Sequence, residues 1–199
     1  MKSIIRLTML NLVALSASAV LAQDFSAFEY RNVGPARGGR VTAVAGTVAA
    51  PSTFYLGASG GGVWKTDDYG TAWYNVSDGY FETPSIGDIA VSQTDPNIIY
   101  VGTGSDGLRS NVIVGKGMYR SLDGAKTWEH IGLRETGHIG AVEIDPTDNN
   151  IVWVAAIGQA FNASEERGVY KTVDGGRSWE RVLYVSDTVG FSDIELVPG

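Results

Sequence analysis

A stretch of about fifteen residues occurs three times in this chain and constrains its fold more than any other feature. The copies are GVWKTDDYGTAWYNV from Gly62, GMYRSLDGAKTWEHI from Gly117 and GVYKTVDGGRSWERV from Gly168, so the repeat recurs after 55 and then 51 residues. A period of this length is typical of architectures in which each repeat is one supersecondary unit. The chain is therefore expected to build one small structural unit several times.

A second matching segment precedes each copy. These segments are VTAVAGTVAAPSTFYLGA from Val41, IGDIAVSQTDPNIIYVGT from Ile86 and IGAVEIDPTDNNIVWVAA from Ile139, and a fourth begins at Phe191 as FSDIELVPG. Each period reads as four short β-branched, aromatic or alternating segments separated by Gly, Pro, Asn and Asp, with no helical periodicity. Four strands per period predict an all-β fold, a β-propeller of four-stranded antiparallel blades.

The repeats predict the blade boundaries. Blades are expected at residues 40–76, 86–132 and 139–183, with the start of another at 191; within the second, strands A to D are expected at 86–91, 98–103, 117–121 and 127–131. Matched positions of the A strands carry small residues that suit strands crowded around a central axis, namely Thr42, Gly87, Gly140 and Ser192. Closure takes about 4 to 8 blades. The chain is thus expected to be the amino-terminal piece of a longer propeller, with residues 29–34 as the outer strand of the closing blade and the remaining blades as its partner.

The repeated motif has the form Ser/Thr, any, Asp, any, Gly, any, Thr/Ser, Trp on the turn between strands C and D. Its members are Thr66, Asp68, Gly70 and Trp73; Ser121, Asp123, Thr127 and Trp128; and Thr172, Asp174, Gly176, Ser178 and Trp179. An Asp carboxylate in a tight turn accepts backbone N–H groups of its own loop, Gly adopts a positive φ, and the indole packs into the neighbouring sheet. These carboxylates are expected to be structural and not catalytic.

This motif is that of the Asp-box, or BNR repeat, and from Tyr30 to Gly199 the chain resembles sortilin-like Asp-box propellers. More distantly it is similar to xyloglucanase and sialidase propellers. The resemblance implies the fold and leaves the activity open, because such propellers include sialidases, xyloglucanases, sorting receptors and photosystem assembly factors. Where the xyloglucanase resemblance implies a catalytic Asp, this chain has Gly87, and Asp88 is shifted by one residue, off that face of the strand. The aromatic-Arg-Ile-Pro segment of sialidases is matched poorly by Tyr30-Arg31-Asn32-Val33.

The first 22 residues predict a cleaved secretory signal, with Lys2 and Arg6 before an apolar run and small residues up to Ala22. The alternative, a retained membrane anchor, needs an unbroken apolar span of about 20 residues. Cleavage removes two bases and no acid, which leaves 13 bases against 22 acids. We therefore expect a periplasmic or extracellular protein that does not bind nucleic acid and has no membrane span after cleavage. With no Cys, it has neither disulfides nor thiolate metal sites.

Candidate functional residues gather on one side of the predicted blades. The A–B and C–D turns share one side, which we call the turn side, and the longer B–C and D–A loops share the other, the loop side. Loops on a rigid frame commonly carry binding sites. The binding candidates there are Arg37, Arg40, Tyr80, Arg109, Asn111, Arg134, Glu165 and Glu166, and the weak catalytic candidates are Glu82, Glu135 and His138.

Each candidate has a structural alternative. Arg37 and Arg40 are as well explained by bonds to carbonyls of the next blade, His138 by a hydrogen-bonding corner, and Glu165 and Glu166 by a solvated loop tip. On the turn side, Asp145, Asp148 and Asn150 resemble a calcium loop, but their spacing matches no known cage, and the DPTDNN segment is better explained by Asx turns. No metal or cofactor is predicted.

Two functions from different classes follow. The first is a non-catalytic recognition scaffold that binds a protein, peptide or glycan through the loop side. The second is a glycoside hydrolase with part of its acid pair beyond residue 199, since such enzymes need two carboxyl groups across a cleft. A third reading is a degenerate piece without a function of its own.

Overall fold

The computed structural model of the protein describes residues 39–107 and 111–197. The predicted leader, the predicted closing strand at residues 29–34, Arg37 and Arg109 lie outside the described residues. The described part of the chain is built from twelve strands in three antiparallel sheets of four. In every sheet, strands that are consecutive in the chain are hydrogen-bonded neighbours.

The strands follow the repeat. The first sheet contains β1 (Val41–Gly46), β2 (Phe54–Ala58), β3 (Gly62–Thr66) and β4 (Tyr74–Asn75). The second contains β5 (Ile86–Val91), β6 (Ile99–Thr103), β7 (Met118–Ser121) and β8 (Glu129–His130). The third contains β9 (Ile139–Ile144), β10 (Val152–Ala156), β11 (Gly168–Thr172) and β12 (Glu180–Leu183).

Three details differ from the expected strands. The outer strand β8 has two residues instead of five; the Thr127 amide before it bonds the Asp123 carboxylate, and beyond it the Ile131 amide still donates to the Met118 carbonyl. The D–A loop of the second sheet contains a 3₁₀ turn, Arg134–Thr136, entered through Leu133 at φ 54°. No strand is assigned from Phe191 to Val197, although the Phe191 amide donates to the Ala156 carbonyl at 3.2 Å.

The sheets pack face to face, and the middle sheet is covered on both faces. Alternating residues of β6 point to opposite neighbours, so Ile99 and Val101 join a cluster with the first sheet, whereas Tyr100 joins one with the third. All five β6 residues are buried. This explains why the strand reads as a continuous apolar run and not as an alternating one.

The small residues on the innermost strands are required by the approach of the next sheet. A Cβ atom on Gly87 would lie 1.9 Å from the Ile139 carbonyl oxygen, and one on Gly140 would lie 2.4 Å from that of Ser192. In β1 the matched residue is Thr42, whose hydroxyl donates to the Ile86 carbonyl oxygen at 2.6 Å. The innermost strands therefore touch through their backbones.

The described residues include no helix with the length and apolarity needed to cross a membrane.

Candidate functional site

The three C–D turns, here called the aspartate turns (residues 66–73, 121–128 and 172–179), share a set of hydrogen bonds made by their Ser or Thr hydroxyl and their Asp carboxylate. In the second, the Ser121 hydroxyl donates to Asp123 at 2.9 Å and accepts the Ala125 amide at 2.9 Å. The Asp123 carboxylate also accepts the Thr127 amide at 2.9 Å and the Thr127 hydroxyl at 2.6 Å. The third turn repeats this set with Thr172, Asp174, Gly176 and Ser178.

The first turn is a weaker version because Ala72 replaces the last hydroxyl. Asp68 accepts the Thr66 hydroxyl at 2.8 Å and the Ala72 amide at 2.9 Å, without a second side-chain donor. The middle of each turn needs a positive φ, which Gly70, Ala125 and Gly176 adopt at 81°, 70° and 91°. Each turn is thus held by hydrogen bonds among its own residues.

These bonds stabilise the ionised carboxylates. The Thr127 hydroxyl is the main cause that lowers the pKa of Asp123 to about 2, and the Ser178 hydroxyl lowers the pKa of Asp174 still further. In the first turn the Ala72 amide is the main cause that lowers the pKa of Asp68. Acids held this way do not donate a proton near neutral pH, so they are unsuited to general acid catalysis.

The aspartate turns also join neighbouring sheets. The indole N–H of Trp128 donates to the Val76 carbonyl of the preceding sheet at 2.8 Å, and that of Trp179 donates to Ile131 at 2.7 Å. In the other direction, the Lys65 ammonium donates to the Gly124 carbonyl at 3.2 Å. Arg120, the matched residue of the second sheet, donates to Gly175 at 2.6 Å.

These cations are not among the residues predicted from the sequence, although the repeat displays them. A basic residue stands immediately before the Ser or Thr of every copy, as Lys65, Arg120 and Lys171. Lys171 lies over the Trp153 ring, with its ammonium 4.4 Å from the ring centroid. A basic residue that recurs next to each aspartate turn therefore indicates, from the sequence alone, a bond between neighbouring sheets.

The residues considered for a calcium loop hold their own backbone instead. Asp145 accepts the Thr147 amide and hydroxyl at 2.8 and 2.6 Å, and Asp148 accepts the Asn150 amide at 2.9 Å. These are Asx turns. Within residues 39–107 and 111–197, no three His, Asp or Glu side chains cluster in a way suited to a metal ion.

On the loop side, one ion pair joins two successive D–A loops. Both guanidinium nitrogens of Arg134 donate to the two carboxylate oxygens of Glu82, one of them at 2.6 Å. The side chains remain 44% and 49% exposed. The pair is the main cause that lowers the pKa of Glu82 and raises that of Arg134. Arg40 makes a second long-range contact here, donating to the Asn111 amide oxygen.

His138 is a buried anchor under the B–C loop of the second sheet. It is 1% exposed, and its Nδ1 accepts the Ser105 amide at 3.1 Å, which places the ring proton on Nε2. Nε2 has no hydrogen-bond partner in the described residues. Burial is the main cause that lowers the pKa of His138, and the charge of Arg167 acts in the same direction. A neutral buried imidazole without an acid partner in the described residues is better explained as a hydrogen-bonding corner than as a catalytic base.

The remaining candidates are scattered. Tyr80 lies away from the Glu82–Arg134 pair, since its hydroxyl donates to the Lys126 carbonyl in the second aspartate turn at 3.1 Å. Glu135 lies in the 3₁₀ turn beside Arg134. The Glu165 carbonyl accepts Arg181, and its carboxylate accepts the Tyr184 hydroxyl. Glu166 accepts the Tyr170 hydroxyl. These residues do not form one site.

Arg167, only 8% exposed, holds together the B–C loop of the third sheet. Its guanidinium donates to four backbone carbonyls, including those of Asp187 and Gln159, both at 2.7 Å. It is a structural arginine.

A groove of about 560 Å³ runs along the innermost strands towards the turn side and contains two perturbed acids. Burial raises the pKa of Asp88, although its carboxylate accepts the Val142 amide at 2.7 Å. Burial, with Asp88 as the next cause, also raises the pKa of Glu143. Asp88 is expected from the sequence to point off the catalytic face of its strand, and Glu143 is not among the predicted site residues.

Comparison with known proteins identifies the fold. No protein-family model matches the chain, and no curated protein matches it. Among solved structures it is similar to an ancestral GH74 enzyme, with 20% identity and a TM-score of 0.60 over 78% of this chain. It is also similar to the GH74 xyloglucanase from Xanthomonas campestris, with 21% identity and a TM-score of 0.53 over 76% of this chain. A third similar structure is YCF48 from Cyanidioschyzon merolae, with 19% identity and a TM-score of 0.52 over 78% of this chain.

The chain forms blades of a β-propeller. The predicted all-β class is confirmed by three four-stranded antiparallel sheets and by these neighbours. Identity this low shows a shared fold alone. The chain spans 19% and 22% of the two GH74 structures and 41% of YCF48. The Asp-box and sortilin-like assignment stays a prediction.

Proposed function

We propose that the chain is part of an exported recognition scaffold that binds a protein, peptide or glycan on its loop side and performs no chemistry there. The observation that carries this proposal is the Glu82–Arg134 pair. It joins two different D–A loops, yet both side chains stay about half exposed. Glu82 occupies two of the five N–H donors of Arg134, and no other acceptor among the described residues bonds the guanidinium.

The state of the catalytic candidates favours binding over catalysis. Glu82 is held ionised by Arg134, and His138 is buried and neutral. A general acid and base must reach a common reacting atom. In the described residues, no hydrogen bond or ion pair links Glu82, Glu135 and His138 to one another.

The test is a binding screen read out with loop-side variants. A phage-displayed peptide library and a panel of oligosaccharides are screened against the chain, and the tightest binder is titrated by calorimetry. Arg134→Ala is expected to weaken binding at least tenfold, because arginine is enriched among the few residues that dominate the binding energy of an interface. Glu82→Gln, which loosens the arginine, is expected to weaken it less.

Arg177→Ala is the matched control, since it removes an exposed arginine from the third aspartate turn on the turn side. It should leave the affinity unchanged. Equal losses for both arginine variants would show a general charge effect and contradict the proposal, as would a screen that yields no binder.

A glycoside hydrolase is the second candidate, and one specific observation favours it. Asp88 and Glu143 line the same groove, and burial raises the pKa of both. Raised carboxyl pKa values are the property that lets an acid protonate a leaving group near neutral pH.

This alternative is tested by hydrolysis of xyloglucan, other β-glucans and a sialoside. If the chain is a hydrolase, Glu143→Gln and Asp88→Asn each abolish product release, whereas Asp148→Asn, which changes an exposed turn acid, does not. Absence of hydrolysis across the panel would leave the recognition scaffold as the better account.

Export has its own test. Cleavage of the predicted leader after Ala22 would give a mature chain that begins at Gln23. Amino-terminal sequencing of protein recovered from outside the cytoplasm is expected to start there. An intact Met1 in that fraction would contradict cleavage.

A further inference from the structure

A second cleft, separate from the loop-side pair, lies at the outer rim between the first and second sheets. Its volume is about 530 Å³, within the range of pockets that hold small ligands. One wall is β4 with the start of the following D–A loop, and the other is the second aspartate turn. Its floor contains Lys65, whose ammonium bonds the Gly124 carbonyl and so joins the walls.

Two tyrosines line this cleft and are held by their hydroxyl groups, Tyr74 within the first sheet and Tyr80 across the cleft to the second aspartate turn. The Tyr74 hydroxyl donates to the Asp67 carboxylate, and the Tyr80 hydroxyl donates to the Lys126 carbonyl at 3.1 Å. The side chains are nevertheless 45% and 43% exposed. Rings fixed in this way offer apolar surface to a ligand at little cost in side-chain entropy.

The charged groups of the cleft balance each other. Asp67 forms an ion pair with Lys65 at 3.2 Å. Asp78 and Lys126 add one charge of each sign, and in the described chain their hydrogen bonds are made by backbone atoms. The site therefore has no net charge, which favours a neutral ligand over an ionic one, while the free carboxylate and ammonium offer an acceptor and donors to hydroxyl groups.

The next junction between sheets shows that the fold does not require Tyr74. Between the second and third sheets, the residue matched to Tyr74 is Glu129, which pairs with Arg120, and the residue matched to Lys126 is Arg177. Since the same inter-sheet bond forms there without Tyr74, that ring is available for another purpose.

We propose that this rim cleft binds a neutral carbohydrate, with one sugar ring between Tyr74 and Tyr80 and its hydroxyl groups bonded to Asp78 and Lys126. A sugar ring combines apolar C–H faces with a hydroxyl edge, which matches two aromatic surfaces beside a polar floor. The inference does not depend on the loop-side proposal, because it uses different residues on a different part of the surface.

The test is saturation-transfer NMR and calorimetry of the chain with neutral tetrasaccharides of glucose, mannose, galactose, xylose and N-acetylglucosamine. At least one is expected to bind. Tyr80→Ala and Tyr74→Ala are each expected to weaken that binding at least tenfold, and Asp78→Asn by a smaller factor. Tyr80→Phe keeps the ring and loses only the tether, so it should retain more affinity than Tyr80→Ala.

Tyr184→Ala is the matched control, because Tyr184 is similarly exposed but lies just after β12 of the third sheet and does not line the cleft. Circular dichroism checks that each variant is folded. Binding that is lost in Arg134→Ala but kept in the tyrosine variants would support the loop-side proposal and overturn this one. Absence of any binding at sugar concentrations of up to about 10 mM would also overturn it.

Discussion

The two sides of this propeller segment use polar residues in opposite ways. On the turn side, one set of hydrogen bonds is made three times, and the Trp and Lys or Arg beside it reach the neighbouring sheet in the same way at each described junction. On the loop side, three side-chain contacts of the described residues are each made once: Glu82–Arg134, Arg40–Asn111 and the bonds of Arg167 to backbone carbonyls.

The difference separates folding from recognition. A contact needed to stack every sheet on the next must recur at every junction, whereas a contact that serves one ligand has no reason to recur. We therefore expect the repeated polar residues to control stability, and the exposed polar residues that occur once, such as Glu82 and Arg134, to control binding.

The largest effect is expected for Trp128→Ala. The indole packs at the edge of the cluster between the first two sheets, meets Phe81 edge-on and donates to Val76. Its loss should lower the free energy of unfolding by about 3 kcal/mol, measured by urea denaturation. Phe161→Ala on the loop side removes an aromatic ring that is 77% exposed and should change stability by no more than about 0.5 kcal/mol. Equal losses would break the proposed division.

His138 is expected to give the next largest effect, because this loop-side group is buried and behaves like a structural residue. Its pKa is lowered in the folded protein, so the unfolded chain binds the proton first as the pH falls below about 6.5. Stability should be constant above that pH and decline below it. Protonation would also place a donor against the Ser105 amide and loosen the B–C loop. Arg167 is the charged residue that acts on this imidazole, and it opposes protonation.

The measurement is the urea concentration at the midpoint of unfolding, taken between about pH 7.5 and 5, a range that spans the ordinary histidine pKa of about 6.5. His138→Gln should flatten the profile. His130→Gln, which changes the exposed histidine of β8, should leave it intact. A profile that is unchanged in His138→Gln would assign the acid sensitivity to another group.

Asp123 is expected to have a smaller effect, at lower pH. Because its pKa is lowered to about 2, its contribution is complete above the unfolded value of about 3.9 and disappears as the pH falls through 2. Asp123→Ala should cost about 1 kcal/mol at neutral pH after allowance for solvent screening, and should reduce the loss of stability between pH 4 and 2. An unchanged acid limb in the variant would contradict this.

The division also explains what the sequence could predict. β5 was expected at 86–91 and is observed at Ile86–Val91, and the carboxylate of each aspartate turn is bound by its own loop as expected. Both follow from local pattern and from repetition, which shows three times which residues matter. The Glu82–Arg134 pair joins residues 52 apart that occur once, so no repeat signals it. Tyr80 was grouped with the loop-side candidates, and only the folded chain places it beside Lys126.

The smallest effect is expected for the Glu82–Arg134 pair, and the Arg120–Glu129 pair provides the comparison. Both are arginine–glutamate contacts, but Arg120 is 10% exposed and also bonds the Gly175 carbonyl of the next sheet, whereas Arg134 is 44% exposed and bonds only Glu82 in the described residues. A double-mutant cycle on Glu82 and Arg134 should give only a small coupling, and high salt should weaken it further because both groups are solvent-exposed. Arg120→Met should cost more, about 2 kcal/mol, because it leaves the Gly175 carbonyl without that donor, and its cost should depend little on salt. The Glu82–Arg134 pair could instead stabilise the fold as much as the Arg120 contact does. In that case stability would explain the pair as well as recognition does, and the assignment of binding to the loop side would lose its basis.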